Sequence, residues 1–290
     1  MIATSLVQLD SKTLSPTYNF QRVAEFIHAE AAAGAQLILF PELANTGYIE
    51  PISPGSGFHA DVPHYGTALY QACATLDDDN IKKLIALAAQ YNIHIVIGLG
   101  LRDPTLSGVM HNSSVLIGPY GIVGHYNKWH LWQNEKLYFT PGNTVSTYEI
   151  LGTRLGMQVC YDIRFPEITR ILAMQGASII TNVWASAFPE DAPVSDPDLF
   201  IHRAYTRAIE NGVFFLSCNR SGTHGNFRFL GRTCAIVPDG TLLGELAHDQ
   251  EGVLRVQIDL SLLEAYRSFT GIWADRRPDL YAQYFASPSS

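Results

Sequence analysis

The chain has 290 residues, 47% of them hydrophobic, and its 19 Lys and Arg against 27 Asp and Glu give a net charge of -8. That is enough apolar material for a sizeable core, and no run of basic residues offers the positive stripe that nucleic acid or an anionic membrane needs. The longest apolar stretch, "IHIVIGLGL" at 93–101, is far short of the roughly 20 residues that span a bilayer. The opening "MIATSLVQLDSK" has no basic leader region, so the expected compartment is the cytoplasm. Cys73, Cys160, Cys218 and Cys234 show no C-x-x-C spacing, and a chain of this length needs no disulfide staples, so reduced thiols are expected.

In chain order, β-branched segments at 2–9, 36–40 and 93–100 alternate with helix-period segments. Phe20, Val23, Ala24 and Ile27 form one apolar helical stripe, and Ile81, Leu84, Ile85 and Ala88 form another, so both helices are expected to cover a sheet. Residues 109–127 read as a hairpin turning at Gly-Pro-Tyr-Gly. The order then repeats: strand 154–160, helix 166–176, strand 177–184, helix 198–212, strand 213–219, and a hairpin over 231–247 turning at Pro-Asp-Gly. Two halves of the same order predict an α/β fold of two sheets packed face to face, with helices on both outer faces. Residues 1–274 read as a single domain. Residues 50–79 and 128–146 are irregular and longer than plain connectors, which points to functional loops. The polar tail 275–290 reads as an arm or a disordered end.

Cys160 ends a strand just before a helix start marked by Pro166 and Glu167. It is either a buried strand thiol or a nucleophile whose thiolate a nearby helix dipole would stabilise. Two further positions bear on that choice. Glu42 follows an apolar strand and a Pro, at a strand's C-terminal edge, where open α/β sheets gather their ligands. Lys128 ends another strand among Trp129, Trp132, Tyr138 and Phe139, where a lone Lys would ordinarily snorkel to solvent.

The blocks "FPELANTGY" (40–48), "NKWHLWQNEKLYFTPG" (127–142) and "GMQVCYDIRFPE" (156–167) carry these residues, and "TNVWAS", "RAIENG", "GRTCAIVPDG" and "RRPDLY" follow them. Together they resemble the nitrilase superfamily of carbon-nitrogen hydrolases over nearly the whole chain. The resemblance implies a four-layer α-β-β-α sandwich of two mixed sheets and a Glu42, Lys128, Cys160 triad, with Glu135 as a second glutamate orienting Lys128 and the substrate. Thiolate attack on a C-N carbon needs a base, a positive group where the oxyanion develops and a proton source for the leaving amine. Glu42, Lys128 and the Tyr161 backbone N–H fit those needs. Tyr161-Asp162 after the cysteine resembles the amidase branches of the family, whereas its nitrilases carry Trp-Glu there. The expected reaction is therefore amide hydrolysis, with N-carbamoyl and nitrile hydrolysis as alternatives on the same residues.

Tyr48, Trp129, Trp132, Trp184 and Phe188 are candidates for an aromatic substrate pocket. Arg164 either anchors a substrate carboxylate or sits in a structural ion pair. Cys73, Cys218 and Cys234 read as core thiols. A papain-like pair of Cys160 with His130 or His202 is the rival chemistry, although its local signature is absent; a binding protein without turnover is the rival class, against which the intact trio stands. No metal-ligand spacing, phosphate-binding Gly motif or dinucleotide fingerprint occurs, so no metal or cofactor is expected. The resemblance also implies a homodimer or larger even-numbered oligomer. Apolar residues on more than one face of the helices around 166–176 and 196–212 agree with that, and Tyr281, Tyr284 and Phe285 suggest that the tail packs on a neighbouring subunit.

Overall fold

The computed structural model of the chain describes residues 1–49, 62–189 and 198–285. Its first half runs β1 (Ile2–Gln8), α1 (Pro16–Ala32), β2 (Leu37–Phe40), α2 (Val62–Ala72), α3 (Asp79–Tyr91), β3 (His94–Arg102), β4 (Met110–Gly118) and β5 (Gly121–Asn127). After a 3-10 turn at Gln133–Leu137, the second half runs β6 (Thr147–Ile150), β7 (Thr153–Val159), α4 (Pro166–Met174), β8 (Ile179–Val183), β9 (Ala187–Pro189), α5 (Leu199–Ile209) and β10 (Phe214–Cys218). The short strands β11 (Thr223–His224) and β12 (Phe227–Phe229) follow, then β13 (Cys234–Ile236), β14 (Leu242–Glu245), β15 (Gly252–Ile258), α6 (Ser261–Thr270) and α7 (Pro278–Phe285).

One six-stranded sheet has the order β15-β1-β2-β3-β4-β5 and the other β14-β13-β10-β8-β7-β6. Within each, the strands joined by helices are parallel and the hairpin strands antiparallel. Side chains alternate across these strands, so each sheet has two apolar faces. Leu6, Leu37, Leu39, Val96 and Leu116 of the first sheet meet Met157, Val159, Ile179 and Leu216 of the second in a central core. Their strand neighbours Val7, Ile38, Phe40, Ile95 and Ile97 point outward to Phe20, Val23 and Ile27 of α1 and to Ile81, Leu84 and Ala88 of α3. On the opposite side Ile180, Phe215 and Ile236 meet Ile168 and Leu172 of α4 and Phe200, Ala204 and Ala208 of α5. The result is a four-layer α-β-β-α sandwich. Its register is set by burial: a one-residue slip would swap every strand's faces, and each buried Leu or Ile contributes about 1.5–3 kcal/mol.

Several elements depart from the sequence reading. The stretch 50–79, expected to be irregular, contains α2 and the start of α3; its residues 50–61 lie outside the described ones. The strands β6 and β15 extend the two sheets by antiparallel pairing to β7 and β1. A third, small sheet of order β11-β12-β9 forms beside the second. The tail, read as an arm or a disordered end, is helical over Pro278–Phe285, with Tyr281 and Tyr284 exposed. Pro278 suits a first helical position, because its missing N–H costs nothing there.

Parallel strands of both sheets end on one side of the sandwich. Glu42 follows β2 by two residues, Cys160 follows β7 directly and Trp184 follows β8 directly. The Glu42 N–H donates to the Trp184 carbonyl (3.1 Å), and the Trp184 N–H donates to that of Cys218 (2.8 Å). The first bond ties a strand end of one sheet to a strand end of the other, and the second joins neighbouring strand ends within the second sheet, at the place where open α/β sheets bind ligands.

Candidate active site

Glu42 is fully buried, in the turn that follows β2. The backbone passes so close to β3 that a Cβ on Gly98 would stand 2.4 Å from the Glu42 Cα and 2.5 Å from the Pro41 carbonyl oxygen. Only a glycine permits that approach. The Glu42 Oε1 accepts from Lys128 Nζ (2.8 Å) and from Asn112 Nδ2 (2.6 Å), while its Oε2 is buried with no hydrogen-bond partner. Asn112, on β4, also holds the Lys128 backbone: its carbonyl accepts the Lys128 N–H at 2.8 Å.

Lys128, one residue past β5, is fully buried as well. Its ammonium bridges the two glutamates, Glu42 at 2.8 Å and Glu135 at 2.9 Å. Burial works to lower its pKa, but the charges of Glu135 and Glu42 outweigh that and hold it well above the ordinary lysine range. Glu135 sits in the 3-10 turn, where its carboxylate also accepts from the Tyr48 hydroxyl and the Trp132 backbone N–H, each at 2.9 Å. Burial raises the Glu135 pKa and Lys128 opposes the rise. The three side chains form a buried ionic chain of two carboxylates and one ammonium, in which removing Lys128 would leave two buried carboxylates without a counter-charge.

Cys160 begins a second 3-10 turn, Cys160–Arg164, with its backbone in the left-handed region at φ 49. That conformation is strained for a residue with a Cβ, and such strain collects at functional sites. Residues 161–165 lie between Cys160 and α4, whose dipole would favour a thiolate close to its first turn. Burial instead pushes the thiol pKa well up, helped by Glu42 and Glu135, while Lys128 and a hydrogen bond from the Ala185 backbone pull it down. A thiol so raised needs a base to attack as a thiolate.

The turn is fastened to the lysine loop through Asp162, which is fully buried. One carboxylate oxygen accepts from the Tyr126 hydroxyl (2.8 Å) and the Val159 N–H (3.1 Å), the other from the His130 N–H (3.0 Å) and His130 Nδ1 (2.9 Å). Tyr126 and His130 flank Lys128 in the chain, so Asp162 locks the cysteine turn and the lysine strand into one rigid unit.

Cys160 lines a cavity of about 190 Å³ with Tyr48, Trp132, Tyr161, Arg164, Trp184, Phe188, Arg203 and the strand β12 aromatics Phe227 and Phe229.

Residues 3–268 match the family described as carbon-nitrogen hydrolase. The chain belongs to that family. The hydrolase is 31% identical to an (R)-stereoselective amidase of Pseudomonas sp., over 94% of this chain and 90% of that one. It is 29% identical to a nitrilase of Pyrococcus abyssi, over 97% and 99% of the two chains. Among solved structures it resembles a mutant amidase of Nesterenkonia sp. AN1, which carries acrylamide added at its active-site cysteine. The TM-score there is 0.78 at 25% identity, covering 98% of this chain and all of that one.

The hydrolase brings most of the candidate pocket residues to its cavity, with one exception. Trp129 does not line it: the indole packs between the cores and its Nε1 donates to the Thr144 carbonyl at 3.1 Å. Lys128 and Trp129 both lie past the end of β5, where the Lys128 side chain turns to the two glutamates and the Trp129 indole to the Thr144 carbonyl. Trp184 is buried, edge-on to Phe200 at 5.1 Å, with its Nε1 donating to Ser217 Oγ. Arg164 stacks over Trp132 and Tyr161 at 4.8 and 5.3 Å rather than entering an ion pair among the described residues. His130, stacked on Phe165, and His202 both lie outside the cavity lining, which places neither imidazole as a base for Cys160. Burial pushes the Cys73 and Cys234 thiols up to about 12, and Cys218 is also buried and raised; these three are core thiols. Among the described residues no cluster of three or more His, Cys, Asp or Glu could hold a metal ion, and no helix is long and apolar enough to cross a membrane.

Sequence reasoning missed Asn112, Asp162, Ala185 and Arg203. Asn112 had a signal: it opens the run Asn112-Ser113-Ser114, three buried polar residues in a strand that continues as an apolar, buried run from Val115. A polar group on a buried strand needs a partner, and here that partner is Glu42.

Proposed function

We propose that this carbon-nitrogen hydrolase converts a small carboxamide to a carboxylic acid and ammonia through a thioester on Cys160. Glu42 takes the thiol proton as the sulfur attacks the carbonyl carbon. Lys128 and the Tyr161 N–H hold the resulting oxyanion, and Glu135 holds Lys128 in place. Collapse breaks the C–N bond, and Glu42 returns the proton to the departing ammonia. Glu42 then deprotonates a water that attacks the thioester; the acid leaves, and the sulfur regains its proton.

The observation that carries this reading is the buried Glu42–Lys128–Glu135 chain beside Cys160, with one Glu42 oxygen still lacking a partner. A buried carboxylate oxygen with spare acceptor capacity is suited to receive a proton, and a cation with fixed partners is suited to stabilise a developing charge without reorganising. Tyr161-Asp162 after the nucleophile favours amides over nitriles. An amidase stands among the relatives, and the acrylamide adduct of the Nesterenkonia sp. amidase is at a cysteine. Ammonia release from a panel of short amides, N-carbamoyl compounds and nitriles tests the reading. Amides are expected to be turned over fastest, and a panel in which only nitriles react would reject it.

The cytoplasm remains the compartment we propose, in keeping with four free cysteines. We also propose a homodimer or larger even-numbered oligomer. Its support is the apolar surface of the second helix layer, where Met174 of α4 is 56% exposed, and the aromatic Tyr281 and Tyr284 that α7 shows to solvent. Light scattering is expected to give at least twice the 32.0 kDa of one chain, and a mass lowered when residues 275–290 are deleted. A monomeric mass for the intact chain rejects the assembly; an unchanged mass after deletion rejects the tail's part in it.

A further inference from the structure

The cavity around Cys160 carries two arginines that the chemistry above does not use. Arg203 comes from α5 and is partly buried; Arg164 comes from the end of the cysteine turn and keeps much of its surface in solvent. Arg164 is held by its stacks over Trp132 and Tyr161, an arrangement that fixes the plane of a guanidinium while leaving its N–H edge free to donate. Among the described residues neither guanidinium has a carboxylate partner. Burial is the main influence lowering the Arg203 pKa, and the nearby charge of Arg164 adds to it. Two like charges near one cavity, one of them desolvated, are an unfavourable arrangement that an anion would relieve. The rest of the lining is largely aromatic, with Trp184, Phe188, Phe227 and Phe229. Such walls orient a short hydrocarbon chain between the reacting group and a charged end.

We infer that Arg164 and Arg203 together bind a carboxylate, so that the substrate carries an ionised carboxylate a few bonds from the C–N group that Cys160 attacks. The inference rests on the amidase reading for the reaction but not for the binding. A volume of about 190 Å³ suits a chain of a few carbons rather than a drug-sized ligand. Matched substrates separate a carboxylate carried on the acyl side of the scissile bond from one carried on the amine side. Succinamate against butyramide exchanges a carboxylate for a methyl group on the acyl side; N-carbamoyl-β-alanine against propylurea does so on the amine side.

For the pair on the correct side, kcat/KM is expected to favour the anion by about 30-fold or more, the range of a charge-assisted hydrogen-bonded pair. Arg203→Met is expected to reduce that ratio at least tenfold, mainly through KM, and Arg203→Lys to restore part of it, because a lysine keeps the charge but not the fork. Binding is read separately from turnover: succinate is expected to slow alkylation of Cys160 by iodoacetamide in the wild-type enzyme and to do so much less in Arg203→Met. Equal rates within both matched pairs, or a preference that survives Arg203→Met, would overturn the carboxylate pair while leaving the amidase reading intact. Absence of turnover on all four compounds with succinate protection retained would instead count against the amidase reading and support the pair.

Discussion

Cys160→Ala is expected to lose turnover by about 10,000-fold or more, as removal of a covalent nucleophile does, while the protein keeps its fold. The two halves of that expectation have separate causes. The sulfur is the atom that would bond to substrate, and no other cysteine shares the cavity: Cys73, Cys218 and Cys234 are packed in the cores. The fold, by contrast, depends on the turn around residue 160, and that turn is held by Asp162 through Val159, Tyr126 and His130, none of which the substitution touches. Thermal unfolding should therefore move by no more than a few degrees, the shift that about 1 kcal/mol produces in a domain of this size. Steady-state ammonia release together with a melting curve checks both. Retention of more than about a tenth of the wild-type rate would remove Cys160 from the mechanism.

Glu42→Gln is expected to cost about 1,000-fold or more in kcat, within or beyond the usual range for one general acid-base group, because the same carboxylate serves the attack, the leaving ammonia and the hydrolytic water. The substitution also makes a signed prediction for the thiol. In the native site Glu42 and Glu135 both raise the Cys160 pKa and Lys128 lowers it. Neutralising Glu42 removes one raising charge and keeps the lowering one, so the folded-state pKa of Cys160 must fall. The pH midpoint for alkylation by iodoacetamide is then expected to move to lower pH in Glu42→Gln, even as turnover collapses. An enzyme that is slower yet has a more acidic nucleophile would separate the base role of Glu42 from a merely structural one. A midpoint that stays in place or rises would contradict the electrostatic arrangement, and near-normal turnover would contradict the base assignment. Loss of a partner for buried Lys128 is partly offset because Glu135 remains bonded to it.

The sequence by itself determined the elements whose signals are local. The stripes of Phe20, Val23 and Ile27 and of Ile81, Leu84 and Ala88, the turn at Pro238-Asp239-Gly240 and the duplicated order of strands and helices follow from periodicity and turn chemistry over a few residues. They predicted the sandwich that the two sheets form. Glu42, Lys128, Glu135 and Cys160 were legible because each stands at the end of an apolar strand or inside a short motif, and the structure gathers all four at one end of the sandwich. What only tertiary structure decided depends on which strand lies beside which. Asn112 meets Glu42 across 70 residues of chain, Asp162 meets Tyr126 across 36, and the Ala185 backbone reaches the thiol from beyond the end of β8. Trp129 and Phe229 exchanged roles for the same reason: the first, in the loop past β5, turns to the Thr144 carbonyl, and the second enters the cavity from a small sheet that no local pattern announced. The thiol's pKa shows the limit most clearly. Read locally, Cys160 is either a buried strand thiol or a thiolate stabilised by the helix start just ahead of it. Desolvation and two carboxylates brought from elsewhere in the sequence then raise its pKa.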